Sequence, residues 1–166
     1  MVKYRHIILL GILLLGAILI SGCNAAQAKN GDTVKVDYTG KLENGTVFDT
    51  SEGREPLNFT LGEGKMIPGF EKAVLGMKVG ESKTVTIPAD KAYGQYNDNW
   101  VVVVNRENLT NIPNPEVGEQ LQGPRPDGKA GVCTVINVTN TTITVDFNSP
   151  LAGKNLTFEI TLISIQ

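Results

Sequence analysis

The chain has 166 residues, with 15 basic and 17 acidic side chains, a formal net charge of −2, two cysteines and a single histidine. That histidine is His6, so the remainder of the chain cannot build a Ser-His-Asp triad, a Cys-His dyad or a histidine-ligated metal site. A mildly acidic chain with few basic runs also argues against nucleic-acid binding.

The chain opens with a positive segment, Lys3, Arg5 and His6, followed by an apolar run of 14 residues from Ile7 to Ile20. Such a run is short for a bilayer span and fits the apolar region of a secretory signal. It ends in LISGC, and the small residues Ser21 and Gly22 before Cys23 resemble the lipobox of prokaryotic lipoproteins. That resemblance implies cleavage of residues 1–22 and a lipid on the Cys23 thiol, holding an exported chain to the outer face of the cell membrane. An uncleaved signal anchor is the alternative. Removing the first 22 residues leaves 144, and the loss of Lys3 and Arg5 takes the net charge to −4. This length suits one ordinary domain or two small ones. The stretch NAAQAKNGD is polar, rich in small residues and aperiodic, and residues 23–32 read as a tether. With Cys23 assigned to the lipid, Cys133 has no disulfide partner and is expected as a small buried hydrophobe.

In TVKVDYTGKLENGTVFDTS, Val34, Val36 and Tyr38 alternate with Lys35 and Asp37, the period of a half-buried strand. Glu43 to Gly45 reads as a hairpin turn into a second strand carrying Phe48. Asp49 directly after that aromatic, with Arg54 close behind, points to an ion pair or a functional site. PLNFTLG places Leu57, Phe59 and Leu61 on one face. The period then changes. Pro68 at a first helical position, Phe70, Ala73 and Val74 at helical spacing and Gly76 beyond them predict one short helix over 68–75. SKTVTIP returns to strand with Val85 and Ile87 inward, and ADKAYGQYNDN reads as loop. The apolar run WVVVV, residues 100 to 104, opens a second block. A turn-rich stretch punctuated by Pro113, Pro115, Pro124 and Pro126 follows, then a hairpin around TNT and a closing strand with Leu156, Phe158, Ile160, Leu162 and Ile163. The predicted class is α+β, mainly antiparallel β, with one helix packed on a sheet. Six N-x-Thr sequons, at Asn44, Asn58, Asn108, Asn137, Asn140 and Asn155, are compatible with an exported chain.

The blocks VDYTGKLENGTVFDTS, PLNFTLGEGKMIPGFEKAVLGMKVGE, IPADKAYG and LTFEITLI resemble, in order, those of FKBP-type peptidyl-prolyl cis–trans isomerases over nearly all of Thr33 to Gln166. AYGQY followed by an inserted segment and then VDFNSPLAGKNLTFEI resembles the SlyD-type subfamily, in which a chaperone domain is inserted in the flap. The resemblance implies a twisted sheet wrapping the helix, an isomerase domain formed by 33–96 plus 148–166, and a chaperone-like insert at 97–147. It implies an apolar pocket lined by Tyr38, Phe48, Asp49, Met66, Ile67, Phe70, Tyr93 and Phe158, with Phe70 as floor and the Ile67 N–H as a donor. Many relatives carry Trp where Phe70 stands and Phe where Leu57 stands, so the pocket is expected to be roomier. Ser149 replaces a histidine of the SlyD-type pattern.

Catalysis is accordingly expected from Asp49, Tyr93, Phe48 and Ile67, and substrate binding from Tyr38, Met66, Phe70, Leu57 and Phe158, with no cofactor and no metal. Asp49 is expected to be held by the Tyr38 hydroxyl and Arg54 and to act electrostatically rather than by carrying a proton. Without the resemblance, Tyr38, Phe48, Phe70 and Phe158 read as core. The expected partners are unfolded or proline-containing polypeptides and, through the lipid, the membrane, with the protein acting as a monomer. A non-catalytic membrane-anchored holdase is the alternative function.

Overall fold

The computed structural model describes residues 26–109 and 114–166. The expected signal segment and Cys23 lie outside the described residues.

The period-two stretches form strands where the sequence predicts them. β1 (Thr33–Leu42) buries Val34 and Val36 completely and turns Lys35 and Asp37 outward. Gly45, at φ 83°, closes the turn by donating its N–H to the Leu42 carbonyl at 2.9 Å, and β2 (Val47–Thr50) returns along β1. β3 (Leu57–Thr60) pairs with the first half of β1. The helix α1 (Pro68–Val74) starts on its proline and ends one residue short of the predicted span, with Gly76 at φ 81° beyond its Leu75 cap. On β4 (Ser82–Ile87), Lys83 donates through Nζ to the Ala73 carbonyl at 3.0 Å, placing a cation at the C-terminal end of α1. The closing strand β9 (Leu156–Ile165) is central, giving the order β2-β1-β9-β4, with β3 also on β1. All these pairings are antiparallel. The helix packs against the inner face, where Val74, Met77, Leu156, Ile160 and Leu162 are buried. Each such side chain contributes about 1.5–3 kcal/mol of transfer free energy.

A separate four-stranded sheet interrupts this unit between β4 and β9. Its order is β5 (Val101–Asn105), β8 (Thr142–Asp146), β7 (Ala130–Val138), β6 (Gln120–Pro124), again antiparallel throughout. It has its own small core of Leu121, Cys133, Val135, Ile143, Val145 and Phe147. Cys133 is buried, as expected of a small hydrophobe, and donates weakly to the Leu121 carbonyl at 3.5 Å. The valine run that reads as uniformly apolar alternates instead. Val102 and Val104 face the core while Val103 is exposed, because successive side chains of a strand point to opposite faces and only one face of this sheet is covered. β6 falls in the stretch that reads as turns. The two crossing chains are clasped where Asn97 N–H donates to Asn148 Oδ1 and Asn148 Nδ2 donates to the Asn97 carbonyl, both at 3.0 Å. All six sequon asparagines are exposed.

The tether requires correction. From Gln27 onward the chain is docked. Gln27 bridges Lys78, the Ala28 N–H donates to Met77 at 2.9 Å, and its carbonyl accepts from Gly76 at 2.8 Å. Ala28 is buried within the core of the first sheet and α1. A polar-looking segment hides this because one small apolar residue and two main-chain bonds need no periodicity. Ala28→Asp is expected to lower stability by about 2–4 kcal/mol by burying a carboxylate without a partner, read as an earlier midpoint in urea unfolding.

Candidate active site

The inner face of the sheet carries a cluster of aromatic rings over α1. Phe70, from the first turn of the helix, meets Phe158 of β9 edge-on with centroids 5.2 Å apart, Tyr38 of β1 at 5.9 Å and Phe59 of β3 at 5.9 Å. Phe48 of β2 meets Phe158 edge-on at 5.7 Å. Phe70 and Phe158 are buried, whereas Tyr38 and Phe48 are half-buried and form the outer part of the cluster. Gly40 makes this possible. A Cβ there would lie 2.7 Å from Phe48 Cζ and 3.0 Å from Phe158 Cε1, so any side chain would drive the rings apart.

Asp49 stands beside the cluster at the surface. Its Oδ2 accepts from the Tyr38 hydroxyl at 2.5 Å, and its Oδ1 pairs with Arg54 Nη2 at 2.6 Å. Arg54 also donates to the Thr50 carbonyl, and the Thr50 N–H donates to Asp49 Oδ1 at 3.0 Å. The expected partners are both present, but the pair is exposed, with 46% of the Asp49 side chain accessible. The Tyr38 hydrogen bond, reinforced by Arg54 and opposed by partial burial, holds the Asp49 carboxyl below the usual carboxylate range. Burial, then the bond to Asp49, pushes the Tyr38 phenol up. A carboxylate with a depressed folded-state value loses its charge, and the stability that charge confers, only as pH falls through that value. Neither group titrates near neutrality, so the rate of any reaction at this site is expected to be flat from about pH 5 to about pH 8 and to fall only in stronger acid. A pH–rate profile checks this.

Met66 and Ile67 lie in the loop entering α1, half-buried against the core, as is Leu57 on β3. The Ile67 carbonyl accepts from Phe70 and Glu71, but its N–H donates to no acceptor among the described residues. Glu71 is not among the expected site residues. Its carboxylate accepts from the Gly62 N–H at 3.1 Å and the Met66 N–H at 3.4 Å, folding the Gly62–Ile67 loop over the helix start. An acid in the first turn of a short helix is the sequence signal that could have marked it. Ser51, the buried polar side chain of this region, fastens the end of β2 by accepting from the Tyr38 N–H at 3.0 Å and donating to Asp37 at 3.0 Å. Tyr93 is the predicted residue that the structure does not bring into the cluster. It sits 46% exposed on the turn after the short Ala89–Lys91 helix and makes none of the ring contacts, although its neighbour Ala92 packs on the core. A trough of about 710 Å³ lies on the opposite, outer face of the sheet between Thr39, Thr84 and Thr161. Its lining mixes hydroxyls with the charged side chains of Asp37, Lys83 and Glu159, and it shares Tyr38, Thr50, Ser51 and Arg54 with the aromatic site.

The family model of FKBP-type peptidyl-prolyl cis–trans isomerases matches residues 24–163 of this chain. The chain belongs to this FKBP family. It is 39% identical over 153 residues to the short-type peptidyl-prolyl cis–trans isomerase of Methanocaldococcus jannaschii, covering 83% of this chain and 94% of that one. It is 36% identical over 134 residues to the isomerase SlyD of Treponema pallidum, covering 80% and 75%. It is 30% identical over 140 residues to the FKBP-type 16 kDa isomerase of Escherichia coli, covering 84% and 94%. The FKBP-type match runs through both sheets, so the insert is spanned by it as well.

Proposed function

We propose that this FKBP-type chain catalyses prolyl isomerisation at the aromatic cluster, captures unfolded segments on its insert, and does both outside the cell, held by lipid at Cys23. The observation that carries the catalytic reading is the ring cluster of Tyr38, Phe48, Phe70 and Phe158 with Asp49 fixed beside it by the Tyr38 hydroxyl.

Rotation of an X–Pro bond meets a barrier of about 18–20 kcal/mol because the planar amide is resonance-stabilised. The twisted amide has lost that resonance, and its carbonyl is less polar. A surface of aromatic edges that sheds water favours the twisted form over the flat one. Phe48 and Phe158 grip the proline ring on the Phe70 floor, with Met66 and Leu57 bounding it. The Ile67 N–H and the exposed Tyr93 hydroxyl hold the flanking main chain. Asp49 orients the substrate carbonyl region by its fixed charge, and no proton is moved. About 1.4 kcal/mol of preference for the twisted form is tenfold in rate, so a few kcal/mol suffice.

The capture reading is supported by an apolar groove of about 440 Å³ on the insert, lined by Val102, Val104, Leu109, Leu121, Ile143 and Phe147. The edge strand β5 beside it offers unpaired main-chain groups for strand addition. Two experiments test the proposal. Catalysed cis–trans exchange of a prolyl peptide by the chain starting at Asn24 separates an isomerase from a holdase that binds without turnover. Intact-mass measurement of the protein from the membrane fraction tests the anchor, with loss of residues 1–22 and a lipid adduct on Cys23 expected; an unmodified Cys23 contradicts it.

A further inference from the structure

The docking of Gln27 and Ala28 fixes more than stability. Four Cα–Cα steps separate Cys23 from Gln27, a contour of at most about 15 Å. A lipid on Cys23 therefore holds the sheet itself near the bilayer, not a body on a loose string. The point of attachment is one end of the molecule. Ala28 binds Gly76 and Met77, Gln27 bridges Lys78, and Thr33 exchanges main-chain bonds with Gln166 at 3.1 and 2.8 Å. From there β1 runs away, and Gly40 beneath the Phe48 ring is six residues beyond Val34, about 20 Å further out. The insert leaves the sheet further still, ahead of Leu156, which pairs with Leu42 at the far end of β1.

The near end has a composition of its own. Val79 and Ile163 are exposed there, 55% and 40%, each one residue from the Gly80 N–H to Leu162 carbonyl bond at 2.7 Å. Lys78 adjoins Val79, Lys29 follows Ala28, and Lys35 lies opposite Ser164, next to Ile163. Lys29, Lys35 and Lys78 enter no ion pair among the described residues. Asp32 and Glu81 lie at this end too and offset part of that positive charge, each also accepting a main-chain N–H. Glu81 binds Lys78 N–H at 2.9 Å and Asp32 binds Lys29 N–H at 3.0 Å. Three free ammonium groups around two exposed aliphatic side chains suit an anionic lipid surface.

We infer that this end of the isomerase sheet, with Lys29, Lys35, Lys78, Val79 and Ile163, rests on the anionic lipid surface, so that the aromatic site and the insert point away from it. The inference rests on the reading of Cys23 as the lipid attachment site, and its test supplies the lipid chemically so that the two fail separately. The chain starting at Cys23, which contains every described residue, carries Cys133→Ala so that Cys23 is its one thiol. It is coupled to maleimide-headgroup lipid in phosphatidylglycerol–phosphatidylcholine vesicles and labelled briefly with an amine-acylating reagent. Peptide mass spectrometry then compares each lysine with the same protein capped by a lipid-free maleimide. Lys29, Lys35 and Lys78 are expected to label about threefold or more slowly on the vesicles, the attraction of each to an anionic surface adding to steric cover. Lys129 in the insert and Lys154 before Leu156 are expected to be unchanged. Equal labelling of the three near lysines in both states, or protection of Lys129, overturns the orientation. An unmodified Cys23 in the protein isolated from cells would instead overturn the anchor.

Discussion

Asp49→Leu is expected to lower kcat/KM toward a prolyl peptide by about tenfold or more while leaving the fold intact, a loss of about 1.4 kcal/mol of transition-state stabilisation. The fold should survive because the Asp49–Arg54 pair is exposed on both sides, and such pairs contribute about 0–1 kcal/mol to stability. The rate should not survive. Leucine removes the acceptor of the 2.5 Å Tyr38 bond and the fixed charge beside the aromatic rings. Asp49→Asn keeps the shape and one acceptor oxygen, so its loss should be smaller. Thermal unfolding and peptide isomerisation measured on the same preparations separate the two effects. If both variants unfold and turn over like the parent, Asp49 is a structural partner of Arg54 and Tyr38 and nothing more.

Deleting residues 97–147 and closing the gap with a short loop is expected to preserve isomerisation of a short peptide. The same deletion should reduce catalysis of the refolding of a proline-limited protein about tenfold or more. The sheet that carries Tyr38, Phe48 and Phe158, with the helix that carries Phe70, is complete without the insert, whose four strands pair only with one another. What the deletion removes is the apolar groove, and with it the local concentration of an unfolded chain near the site, an effect that can reach 10²–10⁴ in linked binding. Loss of peptide activity as well would mean that the insert supports the site. Equal refolding rates would remove the division of labour.

Much of this architecture is legible in the residues because each strand of the isomerase unit states its own period. Val34 and Val36 are buried where alternation puts them, and Pro68 and Gly76 bracket the helix. Asp49 is conspicuous because a carboxylate interrupts an otherwise apolar, β-branched strand. Its partner Tyr38 is eleven residues away and meets it only through the β1–β2 pairing. Other features depend on closure of the fold and leave no local trace. Gly40 reads as an ordinary strand glycine until Phe48 and Phe158 converge on it. Glu71 reads as a solvated helix acid until the preceding loop wraps back to its carboxylate. β6 is disguised by Gln120, Gln122, Gly123 and Pro124, none of them a strand signal, and owes its existence to pairing with β7. Tyr93 falls in the stretch that reads as loop, and its exposure on the turn follows from that position.

The central claim is that a water-poor aromatic surface prefers a twisted prolyl amide to a flat one. The most direct test is exchange NMR on a proline peptide at equilibrium, with the chain from Asn24 present in catalytic amount. The account predicts accelerated cis–trans exchange at an unchanged cis:trans ratio, with chemical-shift changes at Phe48, Phe70 and Phe158. A peptide that binds at those rings while its exchange rate stays at the uncatalysed value would contradict it.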